Sequence, residues 1–251
     1  MNETLSHKKT LQWLVSAGAD ENIGNEPVNR FAAPSAATAS PDANFHAPQP
    51  VSFPAAQAPA PFQVSANSLE ELKTILAGFD KSPLKATARN MVFGMGNPRA
   101  ALMIIGEAPG AEEDRQGLPF VGASGHLLDL MLESVGLNRS DVYITNILPW
   151  RPPGNRKPSE DEIALFTPFV RRHISLIKPR ILLLLGGSAV SALMNTTAGI
   201  TKTRGRWMTY TDGDTTVQVM ASFHPAFLLR TPGQKKLAWR DFLAVKQKLR
   251  R

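Results

Sequence analysis

The chain has 251 residues, 43% of them hydrophobic and none of them cysteine, and it carries a formal net charge of +7. That length accommodates one sizeable folded domain plus extra segments. The missing thiols exclude disulfides, Cys-ligated zinc, Cys-ligated iron–sulfur clusters and a thiol nucleophile, and no apolar run is long enough to span a bilayer.

In chain order, residues 1–25 place Leu5, Leu11, Trp13, Leu14 and Val15 at the spacing of one short amphipathic helix. Polar residues interrupt its apolar part, so it does not read as a signal peptide, and a cytoplasmic location is expected. Such a helix either packs on the main domain or docks a protein partner. Residues 26–66 hold eight prolines among Ala, Ser and Gln. This composition buries too little apolar surface to offset chain entropy and reads as a disordered linker. The folded domain is expected over 68–251. The charge divides at the same place: residues 1–67 hold three Lys/Arg and five Asp/Glu, which leaves +9 on the remainder. A basic domain attracts polyanions, of which nucleic acid is the commonest large one; the plainer reading is a charge that serves solubility.

From residue 68 the pattern alternates. SLEELKTILAGF has helical spacing, and ALMIIG is a short apolar strand. SGHLLDLMLESVGL follows as a helix, with Ser124 as its N-cap and Gly136 near its C-cap. DVYITNILPW is a strand. Ser159 and Glu162 form a capping box that opens a helix with Ile163, Phe166, Val170, Ile174 and Ile177 on one stripe, which Pro168 is expected to kink or restart. RILLLLG is a fully buried strand that runs into a helix start at GGSAVSALM. WMTYTDGDTTVQVMAS is a hairpin, and QKKLAWRDFLAVKQKLRR is a basic amphipathic helix. Strands alternating with helices imply an α/β three-layer sandwich, with a mostly parallel central sheet flanked by helices.

Ligands of such sheets bind beyond the carboxyl ends of the strands. Those ends deliver Glu107, Ala108, Pro109 and Gly110 after the first strand and Asn146 after the second. Gly186, Gly187 and Ser188 open a helix after the third, and His224 follows the last. Taken singly, a histidine is more often structural, an asparagine caps turns, and Gly-Gly-Ser makes a tight loop. Together they offer a carboxylate, an amide, an anion-binding helix N-terminus and an imidazole in one place.

The segments GEAPGAEEDRQGLPFVG, YITN, RPPGNRKP, LLLLGGSA and HPAFLLR, in this order, resemble the family 4 uracil-DNA glycosylases, over about residues 68–251. The resemblance implies an enzyme that flips uracil out of DNA and hydrolyses its N-glycosidic bond, with uracil-containing DNA as its partner. It implies Phe120 as the stacking platform and Asn146 as the reader of the base. It further implies His224 as donor to the departing uracil O2, with backbone N–H groups around Ala108 to Gly110 beside it. Glu107 and Glu113 would position water. Leu228 or Leu229 would wedge into the hole left by the base. Arg230 and the amides near Gly187 and Ser188 would hold phosphates. The chain is expected to work as a monomer, away from membranes.

Two departures accompany the resemblance. Family 4 enzymes normally hold a [4Fe–4S] cluster on four cysteines, and the aligned positions here are Phe79, Ser82, Trp150 and Phe166. No cofactor is therefore expected, and the aromatic residues are expected to fill the volume of the cluster. Relatives that link covalently to DNA use a histidine in a loop insertion, which RPPGNRKPS lacks. Two other readings compete. One is a metal-dependent phosphohydrolase using Glu107, Glu112, Glu113, Asp114 and His224. The other is a non-catalytic damaged-DNA binding module.

Overall fold

The computed structural model describes residues 64–250. The N-terminal helix expected over 1–25, and the linker apart from its last three residues, lie outside the described residues. Those last three belong to the folded unit. Ala66 is buried in the core, and Arg172 Nε donates to its carbonyl at 2.6 Å. The folded part therefore reaches back past residue 68.

Fifteen helices and strands follow in order among the described residues: α1 (Leu69–Ala77), α2 (Leu84–Thr87), β1 (Met95–Gly96), β2 (Leu102–Gly106), α3 (Ala111–Gln116), α4 (Ala123–Ser134), β3 (Val142–Asn146), α5 (Glu160–Ile177), β4 (Ile181–Leu185), α6 (Gly187–Met194), α7 (Ile200–Thr203), β5 (Trp207–Asp212), β6 (Thr215–Ser222), α8 (Pro225–Arg230) and α9 (Lys235–Leu249). The six strands form one sheet in the order β1-β3-β2-β4-β6-β5. The four inner strands are parallel, and the outer strands β1 and β5 run antiparallel to their neighbours.

The unbroken apolar runs of β2 and β4 reflect burial on both faces, as parallel strands require. Side chains alternate across the sheet. Met103, Ile105, Leu182 and Leu184 face one helical layer, with Leu72, Phe166, Val170 and Val190 from α1, α5 and α6. Leu102, Ile104, Leu183 and Leu185 face the other, with Leu128 and Leu132 of α4 and Phe242 and Val245 of α9. The result is the expected three-layer α/β arrangement.

Caps follow local chemistry. Ser68 Oγ accepts from Glu71 N–H at the start of α1, and Ser159 and Glu162 form the reciprocal box at the start of α5. Arg156 also clamps the Glu162 carboxylate and draws its pKa down to about 2. Two expectations need correction. The N-cap of α4 is Gly122, with Ser124 already inside the helix. Position 122 stays without a side chain because Glu113 crowds it at 3.3 Å. Helix α5 continues through Pro168 without a restart. Its inner stripe, Phe166, Phe169, Val170, Ile174 and Ile177, is buried along its length, so packing outweighs the one backbone hydrogen bond that proline removes.

The chain leaves β2 toward β3 on one side, then returns past β2 to β4 and continues to β6. The order reverses between β2 and β4, which opens a crevice outside their carboxyl ends.

Candidate active site

The crevice is built where β2 and β3 end in register, Gly106 opposite Asn146. A Cβ at Gly106 would lie 2.4 Å from Asn146 Oδ1 and 2.6 Å from Phe120 Cζ. Only a residue without a side chain lets the amide and the ring approach this closely. Asn146 is buried, and its Oδ1 has no hydrogen-bond partner. Among the described residues it is the one fully buried side-chain polar atom in that state. Leaving a buried acceptor unpaired costs about 1–3 kcal/mol, and such orphans in native structures call for an explanation, a ligand among them.

The Phe120 ring lies 5.5 Å, centroid to centroid, from the imidazole of His224, tilted by 31°. Phe120 has a left-handed backbone, φ 53°, which is unusual for a bulky residue and marks a place where strain is held for a purpose. Arg139 holds it there. Its guanidinium donates to the carbonyls of Phe120 and Pro119 and pairs with Asp129 at 2.6 Å. On the other side of the loop, Glu113 gathers three backbone N–H groups: Oε1 accepts from Val121 and Gly122, and Oε2 from Gly110, at 2.9–3.0 Å.

His224 is the N-cap of α8, and its Nδ1 accepts from Ala226 N–H at 3.1 Å. An Nδ1 used as acceptor leaves the proton of a neutral imidazole on Nε2. Burial, aided by the positive charge of Arg230 and opposed by Glu113, holds its pKa down to about 4. At neutral pH His224 is therefore an uncharged Nε2–H donor. Its Cβ lies 3.4 Å from the Cβ position of Gly186, whose φ of +96° only glycine adopts readily.

Across the crevice Ser188 Oγ donates to Glu107 Oε2 at 2.6 Å. This bond ties the loop after β2 to the start of α6, where a negative charge is electrostatically favoured.

The structure thus brings Glu107, Phe120, Asn146, Ser188 and His224 to one place, with Gly187 at its rim. Several of the roles expected from the sequence shift. Glu113 is the organiser of a loop, its oxygens already taken by backbone donors. Around Ala108 to Gly110, Pro109 has no N–H and Gly110 gives its own to Glu113, which leaves Ala108 alone as a backbone donor. The Ser188 hydroxyl, for which the sequence suggests no role, is turned inward to Glu107. Leu228 is fully buried against Phe223 and Ala238, so it belongs to the core. Leu229, 42% exposed, is the leucine able to leave the surface. Arg230 is exposed beside it.

The three consecutive acids do not assemble a metal centre. Glu112 pairs with Arg115 and Gln116, and Asp114 accepts from the N–H groups of Arg89 and Asn90. Among the described residues, no three His, Asp or Glu side chains are grouped to hold a metal ion. The cluster positions do not fit iron and sulfide either. Phe166 meets Trp150 edge-on at 5.6 Å and Phe79 at 5.9 Å, and Ser82 Oγ accepts from Leu84 N–H.

Comparison with known proteins resolves the family. The family model of the Uracil DNA glycosylase superfamily matches residues 93–243. This chain belongs to that superfamily. It is 38% identical over 186 residues to a type-4 uracil-DNA glycosylase of Sulfurisphaera tokodaii, covering 72% of this chain and 84% of the relative. A type-4 uracil-DNA glycosylase of Saccharolobus solfataricus is 43% identical over 166 residues, covering 64% and 77%. One from Archaeoglobus fulgidus is 38% identical over 184 residues, covering 71% and 92%.

Arg139 and Gly106 do not stand out in the sequence. A glycine ending an apolar strand just before a motif signals close approach at Gly106. No local pattern marks Arg139, because its partners are 10 to 44 residues away along the chain.

Proposed function

We propose that this superfamily member excises uracil from DNA by hydrolysis, using Asn146 to read the base, Phe120 to stack on it, His224 to receive its negative charge and Glu107 to handle water. The observation that carries this reading is the orphaned Asn146 Oδ1, buried beside the Phe120 ring. The carboxamide accepts from uracil N3–H and donates through Nδ2 to O4. Cytosine presents a bare N3 and an amino group at those two positions, so both contacts fail.

When the C1′–N1 bond breaks, its electron pair leaves with the uracil and spreads onto O2. The neutral imidazole of His224 donates Nε2–H to that oxygen. Its tautomer is fixed before substrate arrives, so no reorganisation is needed as charge develops. Water adds its oxygen to C1′ and passes a proton to Glu107, which Ser188 and the start of α6 hold in place. Position 108 is alanine, so Glu107 is the pocket carboxylate left for this task once Glu113 is engaged by backbone. Leu229 fills the vacated stack, and Arg230 and the amide near Gly187 steady phosphates.

The test is a labelled oligonucleotide with a single uracil, incubated with the protein and then with alkali. Scission at the uracil, and none at a cytosine in the same place, is the expected result. An intact strand overturns the reading. Trapping of a protein–DNA adduct by borohydride overturns the hydrolytic step.

A further inference from the structure

The pocket uses the carboxyl ends of four strands, yet the same end of the sheet carries a second feature that the chemistry does not need. Helix α9 runs antiparallel to β6. Its Asp241 accepts from Ser222 Oγ, at the carboxyl end of β6, at 2.7 Å. Its far end, Leu249, accepts from Arg180 beside the amino end of β4. Asp241 is thus level with the end of the sheet. Lys235, six residues earlier, projects about 9 Å beyond it at 1.5 Å per residue.

The residues of this projecting turn divide cleanly. Ala238 is buried and Leu237 partly so, against Phe223 and Leu228 beneath α8. Lys235, Lys236, Trp239 and Arg240 are exposed, and no acidic side chain lies in the first turn. Trp239 keeps 49% of its surface in solvent, the second most exposed large apolar side chain among the described residues. An indole ringed by three cations is not a solubility device. It pairs a flat ring for stacking with charges for phosphates, the combination by which proteins track a nucleic-acid strand. A turn of four residues, 231–234, links this face to exposed Leu229 and Arg230.

We propose that the first turns of α9 form a strand-binding surface for DNA flanking the flipped nucleotide, in which Lys235, Lys236 and Arg240 hold phosphates and Trp239 stacks on a sugar or base. The partner is DNA rather than an acidic protein surface, because the face adjoins the pocket and continues the line of Leu229 and Arg230. This rests on the proposed excision of uracil for its position relative to the lesion, but not for its affinity. Helix α8 rises about 9 Å over its six residues. Lys235 lies beyond α8 and the turn that follows it, so the contact falls on nucleotides that flank the flipped one.

The experiment measures binding to a uracil-free oligonucleotide across a salt series, together with single-turnover excision at saturating DNA. The triple variant Lys235→Ala/Lys236→Ala/Arg240→Ala should lower the slope of log K against log salt by about two to three. Trp239→Ala should weaken binding about tenfold. Both should excise at the wild-type rate once saturated. Both should lose less on the shortest oligonucleotides that are still bound than on long ones. The pair Lys246→Ala/Lys248→Ala, at the other end of the same helix, should leave the slope unchanged. An unchanged slope in the triple variant, or an equal loss in the control pair, overturns the proposal. If the wild-type protein binds DNA through this face but releases no uracil, the excision reading fails and the surface stands.

Discussion

Asn146 holds a carbonyl oxygen in the protein interior with nothing to bind, and His224 holds a proton on the one nitrogen that faces the crevice. On the proposed reading, each is a donor or acceptor set in place ahead of its ligand. His224→Ala should slow single-turnover excision by about 10²–10³, the scale of losing one donor to a developing oxyanion. Asn146→Asp should slow it too, and should narrow the ratio of uracil to cytosine cleavage, because a carboxylate has no N–H for O4. Wild-type rates in both variants would show that the pocket is elsewhere. These residues are legible in the sequence because strand-ending motifs name themselves once the sheet is read as parallel. The partnership of Ser188 with Glu107 is not. It exists only because β4 lies next to β2, although β3 and α5 stand between them in the chain, and that order is a tertiary fact.

At the level of elements, the same contrast appears in α3 and α5. Three adjacent acids at a helix start, Glu112–Glu113–Asp114, are expected to point to different faces and make poor metal ligands, and one helical turn does point them three ways. Glu112 faces solvent with Arg115, Glu113 faces the Phe120 loop, and Asp114 faces the backbone of Arg89 and Asn90. Local sequence shows the acids but not what each turns toward. The stripe on α5 is legible because period 3.6 is a local property. Its Phe166 is the hub between Phe79, at the end of α1, and Trp150, after β3. Phe166→Ala should destabilise the protein by about 3–5 kcal/mol, the range for truncating a buried aromatic, with excision by the folded fraction retained. Urea unfolding gives the first quantity and active-site titration the second. A loss below about 1 kcal/mol, outside that range, would mean that these rings do not join the segments.

For the whole molecule, acid stability is set by imidazoles kept neutral inside. Burial lowers the pKa of His173 to about 3, where it meets Tyr143 Oη at 2.9 Å and stacks on Phe93. His224 sits at about 4. Both values lie below the ordinary 6.5, so between about pH 6.5 and 3 the unfolded chain binds protons that the folded chain does not. Stability then rises with pH across that window and is lost as pH falls through it. His173, the more strongly shifted of the two, contributes the larger share of that change, and the lowered carboxyl of Glu162 adds to the loss below pH 4.5. Urea midpoints measured from about pH 7 to pH 4 should fall steadily, and His173→Gln should flatten the slope. A slope unchanged by that substitution would place the titration in other groups.

The joint of Phe79, Trp150 and Phe166 has a further meaning for the life of the protein. Iron–sulfur joints are made by delivery of iron and sulfide, and they are unmade by peroxide, nitric oxide and metal starvation. A joint of aromatic rings is complete when the chain has folded and has no metal to lose. In this fold the same segments are closed by side chains that arrive with the chain itself.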